Sequence, residues 1–353
     1  MGAVLVTLGL FEGVVFRFVL PAPDLPRLTF QNGVVKHVPN QHGTNRLRDE
    51  ITTRWQVNAN GWTSSIPEYR RTKTPGTYRI AVIGDSYVQG LSVQPTENVA
   101  EQLQQALHDP SIEVYRFGIA GAPMSQYLHM LRREVCAYHP DLVVINLVHN
   151  DFRESHVAAT AAPGVAFNQP VHASSFLKLE LNGRTVTEVE PHALVQPWYE
   201  SLLADLATWR YLAHRYQLRY RLIRAPEPSI PADADRLIAE YVIPRLRLTA
   251  TECGARLAVA IDGDREVIYS GRSEPSSRLR LNEIAIAVAQ RQHVPFVDLH
   301  RVFRRDYLLH GQMFNFESDY HWNRRGHAVA AAAIKDLLIG TGLVPSSARV
   351  SSR

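Results

Sequence analysis

The stretch YRIAVIGDS, residues 78–86, decides how this chain folds. Its first six residues are mostly apolar, three of them are β-branched, and Gly84-Asp85-Ser86 ends the run. A short apolar run bounded by a turn signal is typical of a strand that is buried in a parallel sheet. We therefore predict a buried strand over residues 78–83, followed by a turn that presents Ser86, where the serine either caps a helix or offers a reactive hydroxyl.

Strand, turn and helix signals repeat downstream of this stretch. In chain order, the sequence predicts a helix over residues 98–107, a strand over 114–117 that ends at Gly118-Ile119-Ala120-Gly121, a helix over 125–137, and a strand over 141–148 that ends at His149-Asn150-Asp151. Alternation of short apolar strands with helices is typical of a parallel sheet that carries helices on both faces. The predicted fold class is therefore α/β, a three-layer α/β/α sandwich with a central parallel sheet.

The carboxyl-terminal part continues the pattern after a less regular block. Residues 152–245 are interpreted as an insertion with a lid or helical cap, in which 157–170 form a loop and 197–224 look helical. The later predicted elements are strands over 256–262 and 294–299 and helices over 281–290 and 325–338. The sheet is therefore expected to gain two more strands after the insertion.

Polar groups follow the predicted strands at the edge where open parallel sheets bind their ligands. Ser86, the glycine turn 118–121 and Asn150 follow the first three strands, and Asp319 and His321 come after the last. A serine hydroxyl is a weak nucleophile that needs a nearby base, usually a histidine held by a carboxylate. Backbone N–H groups at glycine turns and an amide side chain can hold an oxyanion. These residue types therefore predict acyl-transfer chemistry.

The order of these motifs resembles that of the GDSL-type, or SGNH, hydrolases. The four blocks of that family correspond to Gly84-Asp85-Ser86, the Gly-x-x-Gly turn at 118–121, Asn150-Asp151, and Asp319 with His321. The phrase NANGW at residues 58–62 is similar to a subgroup with an N-terminal anchor. The resemblance covers about residues 58–338, and it rests on four blocks in order rather than on any single block. It implies an SGNH-like, flavodoxin-like sandwich with an insertion between the third and last blocks.

The resemblance also implies a role for each matching residue. Ser86 is expected to be the nucleophile, His321 the general base, and Asp319 the carboxylate that orients this base. The backbone N–H groups of Ser86 and Gly121 and the side-chain amide of Asn150 would form the oxyanion hole. The reaction would proceed through an acyl-enzyme on Ser86, with water or a sugar hydroxyl as acceptor. Neither a metal nor another cofactor is expected.

Some positions depart from the family pattern. Arg116 stands two residues before Gly118, where the family often has Asn, and Val148 replaces the glycine that commonly opens the third block. Asp319 and His321 are spaced Asp-x-His instead of the commoner Asp-x-x-His. The shorter spacing is similar to the SGNH domains of alginate-type O-acetyltransferases and related cell-envelope enzymes. Hydrolysis and acyl transfer therefore both stay open.

Several neighbouring polar residues have structural interpretations. Asp85 is expected to hold the turn through hydrogen bonds, and His149 to be an ordinary loop residue. Trp322 is expected to pack beneath His321 rather than to stack on a sugar. His327 falls within the last predicted helix, where we expect it to pack or to cap.

Residues 1–20, MGAVLVTLGLFEGVVFRFVL, are just long enough to span a membrane. A charge such as Glu12 costs about 2.5–3.5 kcal/mol at mid-membrane, whereas Arg17 lies near the end and can reach the interface. No basic residue precedes the run and no small-residue cleavage site follows it, which disfavours a cleavable signal peptide. The run is interpreted as a membrane anchor, with an amphipathic or partner-packing helix as the alternative.

The remaining domain organisation follows from this interpretation. Residues 21–57 are turn-rich and are interpreted as a linker or an extended arm, and residues 58–345 as the hydrolase-like domain. If residues 1–20 anchor the chain, the resemblance implies a catalytic domain outside the cytoplasm. A cytoplasmic protein is the alternative.

Composition excludes several classes of protein. Of the 353 residues, 45% are hydrophobic and 20% charged, which excludes a disordered or fibrous chain. With only Cys136 and Cys253, a disulfide scaffold and a four-cysteine zinc site are excluded, while one disulfide stays open. The net charge is only +4, and the basic stretch 210–224 is interpreted as a solvated helix face. Nucleic acid is therefore not an expected partner.

The sequence thus predicts a serine-dependent esterase that hydrolyses O-acyl esters, above all O-acetyl esters, of a carbohydrate or lipid. An O-acetyltransferase of a cell-envelope polysaccharide with the same triad is one alternative, and a non-catalytic glycan-binding or assembly module is another. A metal-dependent phosphoesterase is disfavoured because the usual Gly-Asn-His run is absent. A nucleotide-binding domain is disfavoured because the phosphate-loop motif is absent. The expected partner is an O-acylated small molecule or glycan.

Overall fold

The computed structural model of the chain describes residues 1–47, 49–159, 175–193, 202–203, 205–216, 230–271 and 276–345. Its strands are β1 (Leu28–Gln31), β2 (Val34–His37), β3 (His42–Leu47), β4 (Ile51–Gln56), β5 (Tyr78–Gly84), β6 (Ile112–Gly118), β7 (Leu142–Leu147), β8 (Lys178–Asn182), β9 (Thr185–Val189), β10 (Arg256–Ile261) and β11 (Phe296–Asp298). Its α-helices are α1 (Gly2–Leu10), α2 (Ser86–Gln89), α3 (Val99–Leu107), α4 (Met124–Arg133), α5 (Asn150–Glu154), α6 (Ala207–Tyr216), α7 (Ala234–Glu252), α8 (Arg265–Ser270), α9 (Ser277–Arg291), α10 (Leu299–His310) and α11 (Arg324–Gly340). The π-helical segment Phe11–Val19 continues α1, and 3₁₀ turns cover Pro95–Glu97 and Val135–Tyr138.

Five parallel strands form the central sheet in the order β6–β5–β7–β10–β11. Strand β5 lies between β6 and β7, with Gly84 opposite Gly118 and Ile83 opposite Ile145. After β6 the chain crosses to the other side of β5, and such a switch in strand order opens a crevice where α/β sheets bind ligands. The predicted α/β fold with a central parallel sheet is confirmed.

The apolar run of β5 fills cores on both faces of the sheet. Ala81 and Ile83 join the core formed with α4, α7 and α9, whereas Ile80 and Val82 join the core formed with α3, α10 and α11. Since successive side chains of a strand point to opposite faces, a strand covered on both faces is apolar throughout. The result is the expected three-layer arrangement.

The segment 21–57 is more structured than a linker or an extended arm, and that expectation is corrected here. Strand β1 pairs antiparallel with β2, and β3 pairs antiparallel with β4. Asn32 and Gly33, at φ 55° and 80°, form the turn of the first hairpin, and this dipeptide is favoured in two-residue hairpin turns. Val34 and Val35 are completely buried in the core beside α4. Burial of both faces of β2 stabilises this hairpin, whose strands are too short to give a clear period in the sequence.

The insertion also ends earlier than the expected limit at residue 245. Helix α7 packs against α4, α9 and β10, so it belongs to the helical layer of the sandwich. Pro244 lies inside this helix, and because proline is disfavoured in helix interiors it hid the helical pattern. The described part of the insertion holds α5, the β8–β9 hairpin and α6. Most of the predicted loop 157–170 and part of the predicted helical stretch 197–224 lie outside the described residues.

Residues 2–19 form one helix with largely exposed side chains. The helix has 18 residues, a mean hydropathy of 1.8 and only 6% of its residues buried, so it is long and apolar enough to cross a membrane. The Glu12 carboxylate accepts hydrogen bonds from the backbone N–H groups of Ala207 at 2.8 Å and Thr208 at 2.9 Å, at the start of α6. It also accepts one from Arg17 at 3.1 Å. The helix is a candidate membrane anchor or signal sequence whose acidic residue is paired within the chain.

Cys136 and Cys253 form a disulfide, which settles the pairing that the sequence left open. Their Cα atoms lie 5.5 Å apart, a separation common among disulfides. The bridge connects the 3₁₀ turn after α4 to the residue that follows α7, across a sequence separation of 117. It therefore ties together two elements of the same helical layer.

We expect loss of this disulfide to lower the free energy of unfolding by about 2–4 kcal/mol, because the unfolded chain regains a long, unconstrained loop. Urea denaturation of the Cys253→Ser variant, followed by circular dichroism, should show a lower midpoint than the wild type. Dithiothreitol should shift the wild-type midpoint and leave that of the variant unchanged. A wild-type midpoint that is insensitive to reductant would contradict a stabilising bond.

Candidate active site

Ser86, His321 and Asp319 form a hydrogen-bonded chain at the carboxyl edge of the sheet. His321 Nε2 lies 2.7 Å from Ser86 Oγ, and His321 Nδ1 lies 2.6 Å from Asp319 Oδ1. Asp319 Oδ2 accepts a second hydrogen bond, at 2.8 Å, from Ser92 Oγ. When Nδ1–H donates to the carboxylate, the Nε2 lone pair points at the serine hydroxyl, as general-base activation requires. The fold thus brings together residues that are 235 positions apart in the sequence.

The turn after β5 places Ser86 at the first residue of α2. Asp85 caps this helix, because its Oδ1 accepts the Tyr87 N–H at 3.0 Å. Asp85 therefore stabilises the turn through this hydrogen bond, as the sequence predicts. Gly84 is needed for this geometry, since a Cβ there would lie only 2.5 Å from Val88 Cγ2. Burial of Asp85 raises its pKa to about 6, although the Tyr87 hydrogen bond opposes the shift.

A buried ion pair supports the loop that carries the catalytic candidates. The Arg265 side chain is completely buried, and its Nη1 lies 2.7 Å from both carboxylate oxygens of Asp262. Its Nη2 donates to the Tyr320 carbonyl and to the Tyr87 hydroxyl, each at 2.7 Å. The Tyr87 hydroxyl itself donates to the same carbonyl at 3.1 Å. The loop is therefore fixed at the residue immediately before His321.

Three residues near the motifs have structural roles. Trp322 is fully buried, and its Nε1 donates at 2.9 Å to the same buried carboxylate that pairs with Arg265. His327 Nδ1 accepts the Val99 N–H at 3.1 Å and thereby caps α3. His149 Nε2 lies 2.9 Å from the side-chain oxygen of Asn282. Trp322 is therefore a packed core residue, as predicted, and His327 takes the second of its two predicted roles, packing or capping.

The electrostatics of the pair suit a general base. Burial alone would lower the pKa of His321, but the charge and hydrogen bond of Asp319 raise this pKa above its ordinary 6.5. Burial alone would raise the pKa of Asp319, but His321 and Ser92 hold it at about 2. Asp319 therefore stays ionised at neutral pH, and His321 becomes a competent base as the pH rises through its pKa.

The glycine turn after β6 lies against the helix that begins with Ser86. A Cβ on Gly118 would lie 2.1 Å from the Gln89 backbone nitrogen, so only glycine allows this approach. Gly121 has a φ of 72°, a backbone conformation that favours glycine. The Ala120 N–H donates to Gln89 Oε1 at 3.1 Å. Among the described residues no acceptor takes the Gly121 N–H, which stays available.

Asn150 begins α5, on the opposite side of β5 from the glycine turn. Its side chain is exposed, and Nδ2 donates to Glu154 Oε2 at 3.0 Å. Since an amide nitrogen carries two hydrogens, one of them is still available. Burial raises the pKa of Glu154 to about 7, against the effect of the Asn150 hydrogen bond and of Lys178. In the described part of the chain, Asn150 makes no direct hydrogen bond to Ser86 or Gly121.

Arg116, where the chain departs from the family pattern, is buried beneath the site. Its Nε donates to the Thr63 carbonyl at 2.6 Å and lies 3.2 Å from Glu101 Oε1. The side chain thus joins β6 to the segment that follows the NANGW phrase. This cross-connection gives Arg116 a structural role.

Two buried residues beside the site were not predicted from the sequence. Gln89 ends α2, and its Nε2 lies 3.1 Å from Nε2 of His37 in β2. The available signal was the pair Asn32-Gly33, which indicates a hairpin and hence a packed strand over 34–37. Without that hairpin, His37 belonged to a segment interpreted as a linker.

One protein family and several solved structures are similar to this chain. The GDSL-like lipase/acylhydrolase family matches residues 82–329. Among solved structures, a two-domain esterase (CEX) active on acetylated mannans is 12% identical, with a TM-score of 0.43 over 76% of this chain and 51% of that chain. This chain therefore spans about half the length of that esterase.

Two further structures are similar at the same level. TesA is 16% identical, with a TM-score of 0.41 over 74% of this chain and 97% of that chain. The esterase EstA from Pseudoalteromonas sp., inhibited by monoethylphosphonate, is 12% identical, with a TM-score of 0.41 over 75% of this chain and 99% of that chain. No curated protein sequence matches the chain. Because the family match runs through more than half of the sequence, from β5 into the last helix, the chain belongs to the GDSL-like lipase/acylhydrolase family, and with it to the hydrolases that act on ester bonds.

Proposed function

We propose that this protein is a serine-dependent esterase that hydrolyses O-acyl esters, O-acetyl esters above all, of a carbohydrate or lipid. The observation that carries the proposal is the chain from Ser86 Oγ through His321 to Asp319, with links of 2.7 and 2.6 Å. A serine hydroxyl aligned with an oriented imidazole is the arrangement that activates a nucleophile for acyl transfer.

The first half-reaction forms an acyl-enzyme. Ser86 Oγ attacks the ester carbonyl while its proton passes to His321 Nε2. The N–H groups of Ser86 and Gly121 and the amide of Asn150 hold the oxyanion. The intermediate then collapses, the ester C–O bond breaks, and the alcohol leaves with the proton from His321.

The second half-reaction releases the acid. A water molecule gives its proton to His321 Nε2 and attacks the acyl carbon. Collapse of this second intermediate breaks the bond to Ser86 Oγ, which recovers its proton from the imidazolium. Asp319 stays ionised throughout and stabilises the charged ring.

Transfer to a sugar hydroxyl is the second candidate function, and the Asp-x-His spacing at Asp319 and His321 supports it. The acyl-enzyme would be the same, and only the acceptor would differ. Acetate release measured with and without an added sugar acceptor distinguishes the two, since a transferase forms an acetylated sugar in place of free acetate.

The esterase proposal is tested with the full chain in detergent micelles. Release of p-nitrophenol from p-nitrophenyl acetate, butyrate and octanoate is followed, with Ser86→Ala as the control. Serine-dependent release that is fastest for acetate supports an acetyl esterase, and a preference for octanoate points to lipid esters instead. Release no faster than that of Ser86→Ala, together with no labelling by a fluorophosphonate, favours a binding module.

Replacing Asn150 with alanine is expected to lower kcat by about 10²–10³-fold, because the oxyanion loses one donor. KM should change little, since the amide acts on the charge that develops in the transition state. The thermal midpoint should stay close to that of the wild type because the side chain is exposed. Equal kcat values for variant and wild type would remove Asn150 from the oxyanion hole.

We further propose that residues 1–20 anchor the protein in a membrane with the catalytic domain outside the cytoplasm. The exposed apolar helix 2–19 supports an anchor, and the Cys136–Cys253 disulfide supports an oxidising compartment. Thiol alkylation in lysed, unreduced cells tests this: both cysteines should resist alkylation until a reductant is added. Ready alkylation of both would indicate the cytoplasmic alternative.

A further inference from the structure

We propose that His37 and Gln89 are positioning residues that hold the glycine turn 118–121 in place, so that the N-terminal hairpin contributes to catalysis. The inference rests on the proposed function, because it takes the Gly121 N–H as an oxyanion donor. It assigns a task to a segment that lies outside the four family motifs.

Gln89 connects three elements of the site. It ends the helix that begins with Ser86, and its Oε1 accepts the Ala120 N–H, one residue before Gly121, at 3.1 Å. Its backbone carbonyl accepts the Thr63 hydroxyl at 2.9 Å. The nucleophile and the glycine turn are therefore joined through one buried side chain.

The direction of these hydrogen bonds follows from chemistry. A backbone N–H only donates, so the oxygen of the Gln89 amide must face Ala120. The amide nitrogen then faces His37 and donates to its Nε2, 3.1 Å away. His37 Nε2 must therefore be unprotonated, and the ring proton must be on Nδ1. If Nε2 of His37 carried a proton, this N–H and the amide nitrogen of Gln89 would be two donors facing each other. That arrangement would favour the flipped amide, in which the Ala120 N–H loses its acceptor.

The surroundings keep His37 in this neutral form. The ring is completely buried, and this burial, together with the charge of Arg116, lowers the pKa of His37 to about 3. Arg116 is itself held at the Thr63 carbonyl. Among the described residues, Nδ1 has no hydrogen-bond partner, so Gln89 is the one side chain that the ring orients.

The hairpin holds His37 in position through contacts on either side. The His37 N–H donates to the Gly61 carbonyl at 3.0 Å, within the NANGW phrase. The side chain of the preceding residue, Lys36, points to the opposite face of β2, where it forms a buried ion pair with Glu134 at 3.2 Å. At the turn, the Gly33 carbonyl lies 2.8 Å from His129 Nε2 in α4. The acceptor for Gln89 is therefore held by the fold rather than by a loose segment.

The expected benefit is preorganisation of the oxyanion hole. Donors that are already aimed at the developing charge stabilise a transition state without further reorganisation. A turn that can rotate about Gly121 would lose part of this effect, since small misplacements of catalytic groups slow reactions strongly. Loss of His37 should thus lower kcat while the substrate still binds.

The test compares three variants of the full chain in detergent. His37→Phe fills the space but offers no acceptor, His37→Gln restores an acceptor, and Lys36→Met removes the adjacent buried ion pair without touching Gln89. For each we measure the thermal midpoint, kcat and KM for p-nitrophenyl acetate, and the rate of inactivation by a p-nitrophenyl phosphonate. Inactivation also passes through an oxyanion, so it reports on the same donors.

His37→Phe should lower kcat and the inactivation rate by about 10–100-fold with little change in KM. His37→Gln should recover most of both rates, and Lys36→Met should lose thermal stability but keep the wild-type kcat below its midpoint. If His37→Phe loses no more activity than Lys36→Met, the positioning role is wrong. If Ser86→Ala is as active as the wild type, the proposed function itself fails.

A spectroscopic measurement tests the proposal independently of activity. Ring nitrogen shifts of ¹⁵N-histidine protein, with the His37 signals assigned by their loss in His37→Gln, report which nitrogen carries the proton. We expect the Nδ1–H form at neutral pH. An Nε2–H form or a protonated ring would overturn the proposed positioning role of His37, even if His37→Phe fails to fold.

Discussion

Ser86→Ala should abolish ester hydrolysis, with kcat lowered by about 10⁴–10⁶-fold. The variant has no nucleophile to form an acyl-enzyme, and His321 has no hydroxyl to activate. The fold should survive, because the cap of α2 is the Asp85 side chain and its bond to the Tyr87 N–H at 3.0 Å is unaffected. The measurement is the initial rate of p-nitrophenol release, together with labelling by a fluorophosphonate, which should disappear.

A matched serine variant controls for any general effect of removing a serine hydroxyl. Ser65 is partly buried and lies away from the triad. Its hydroxyl donates one hydrogen bond to Glu101 Oε1 at 3.4 Å. Ser65→Ala should keep the wild-type rate and the fluorophosphonate label. Wild-type turnover by Ser86→Ala would overturn the serine mechanism and leave only the fold and the family membership.

The strands of the sheet and the triad candidates could be predicted because their signals are local. The apolar run at residues 80–83 of β5 is buried on both faces, so all four of its residues indicate a buried strand. The spacing of Asp319 and His321 places both in one short loop, where Asp319 Oδ1 lies 2.6 Å from the His321 ring nitrogen Nδ1 and also accepts the His321 backbone N–H at 3.2 Å. Their meeting with Ser86 then follows from the order of strand-end motifs.

The supporting residues could not be predicted because their partners are distant in sequence. Arg265 and Asp262 are close neighbours along the chain, but the groups that Arg265 holds, Tyr87 and Tyr320, come from two other parts of it. No periodicity or spacing reports such contacts. They arise only when the strand ends meet at one edge of the sheet.

The two errors about chain organisation have physical causes too. The hairpins of residues 28–56 have strands of only four to six residues, and the burial of β2 on the α4 side, rather than its pattern, stabilises it. In α7, the interior Pro244 broke the helical pattern, while packing against α4 and α9 outweighs the local cost. In α7 tertiary contacts outweighed local propensity, whereas in the hairpins they stabilise strands whose own sequence signal is short.

Asp319→Asn should lower kcat by about 10³–10⁴-fold with a much smaller change in KM. The amide can donate to His321 Nδ1, which would favour the tautomer with its proton on Nε2. That nitrogen could then no longer take the proton of Ser86. The imidazolium formed in the transition state would also lose its charged partner. The measurement is the pair of kcat and KM for p-nitrophenyl acetate.

The pH dependence of kcat/KM provides a second, independent test of the role of Asp319. In the wild type, kcat/KM should fall as the pH decreases through the pKa of His321, which Asp319 raises above 6.5. Without the carboxylate, burial and the charge of Arg265 lower this pKa and only the charge of Asp85 opposes them, so the acidic limb of Asp319→Asn should move to lower pH. Ser92→Ala removes only the 2.8 Å hydrogen bond to Asp319. This variant should keep the acidic limb of the wild-type pH profile and lose only a small part of the rate. A variant that raised KM alone and left the acidic limb in place would make Asp319 a substrate-binding residue, and His321 would then need another carboxylate to orient it.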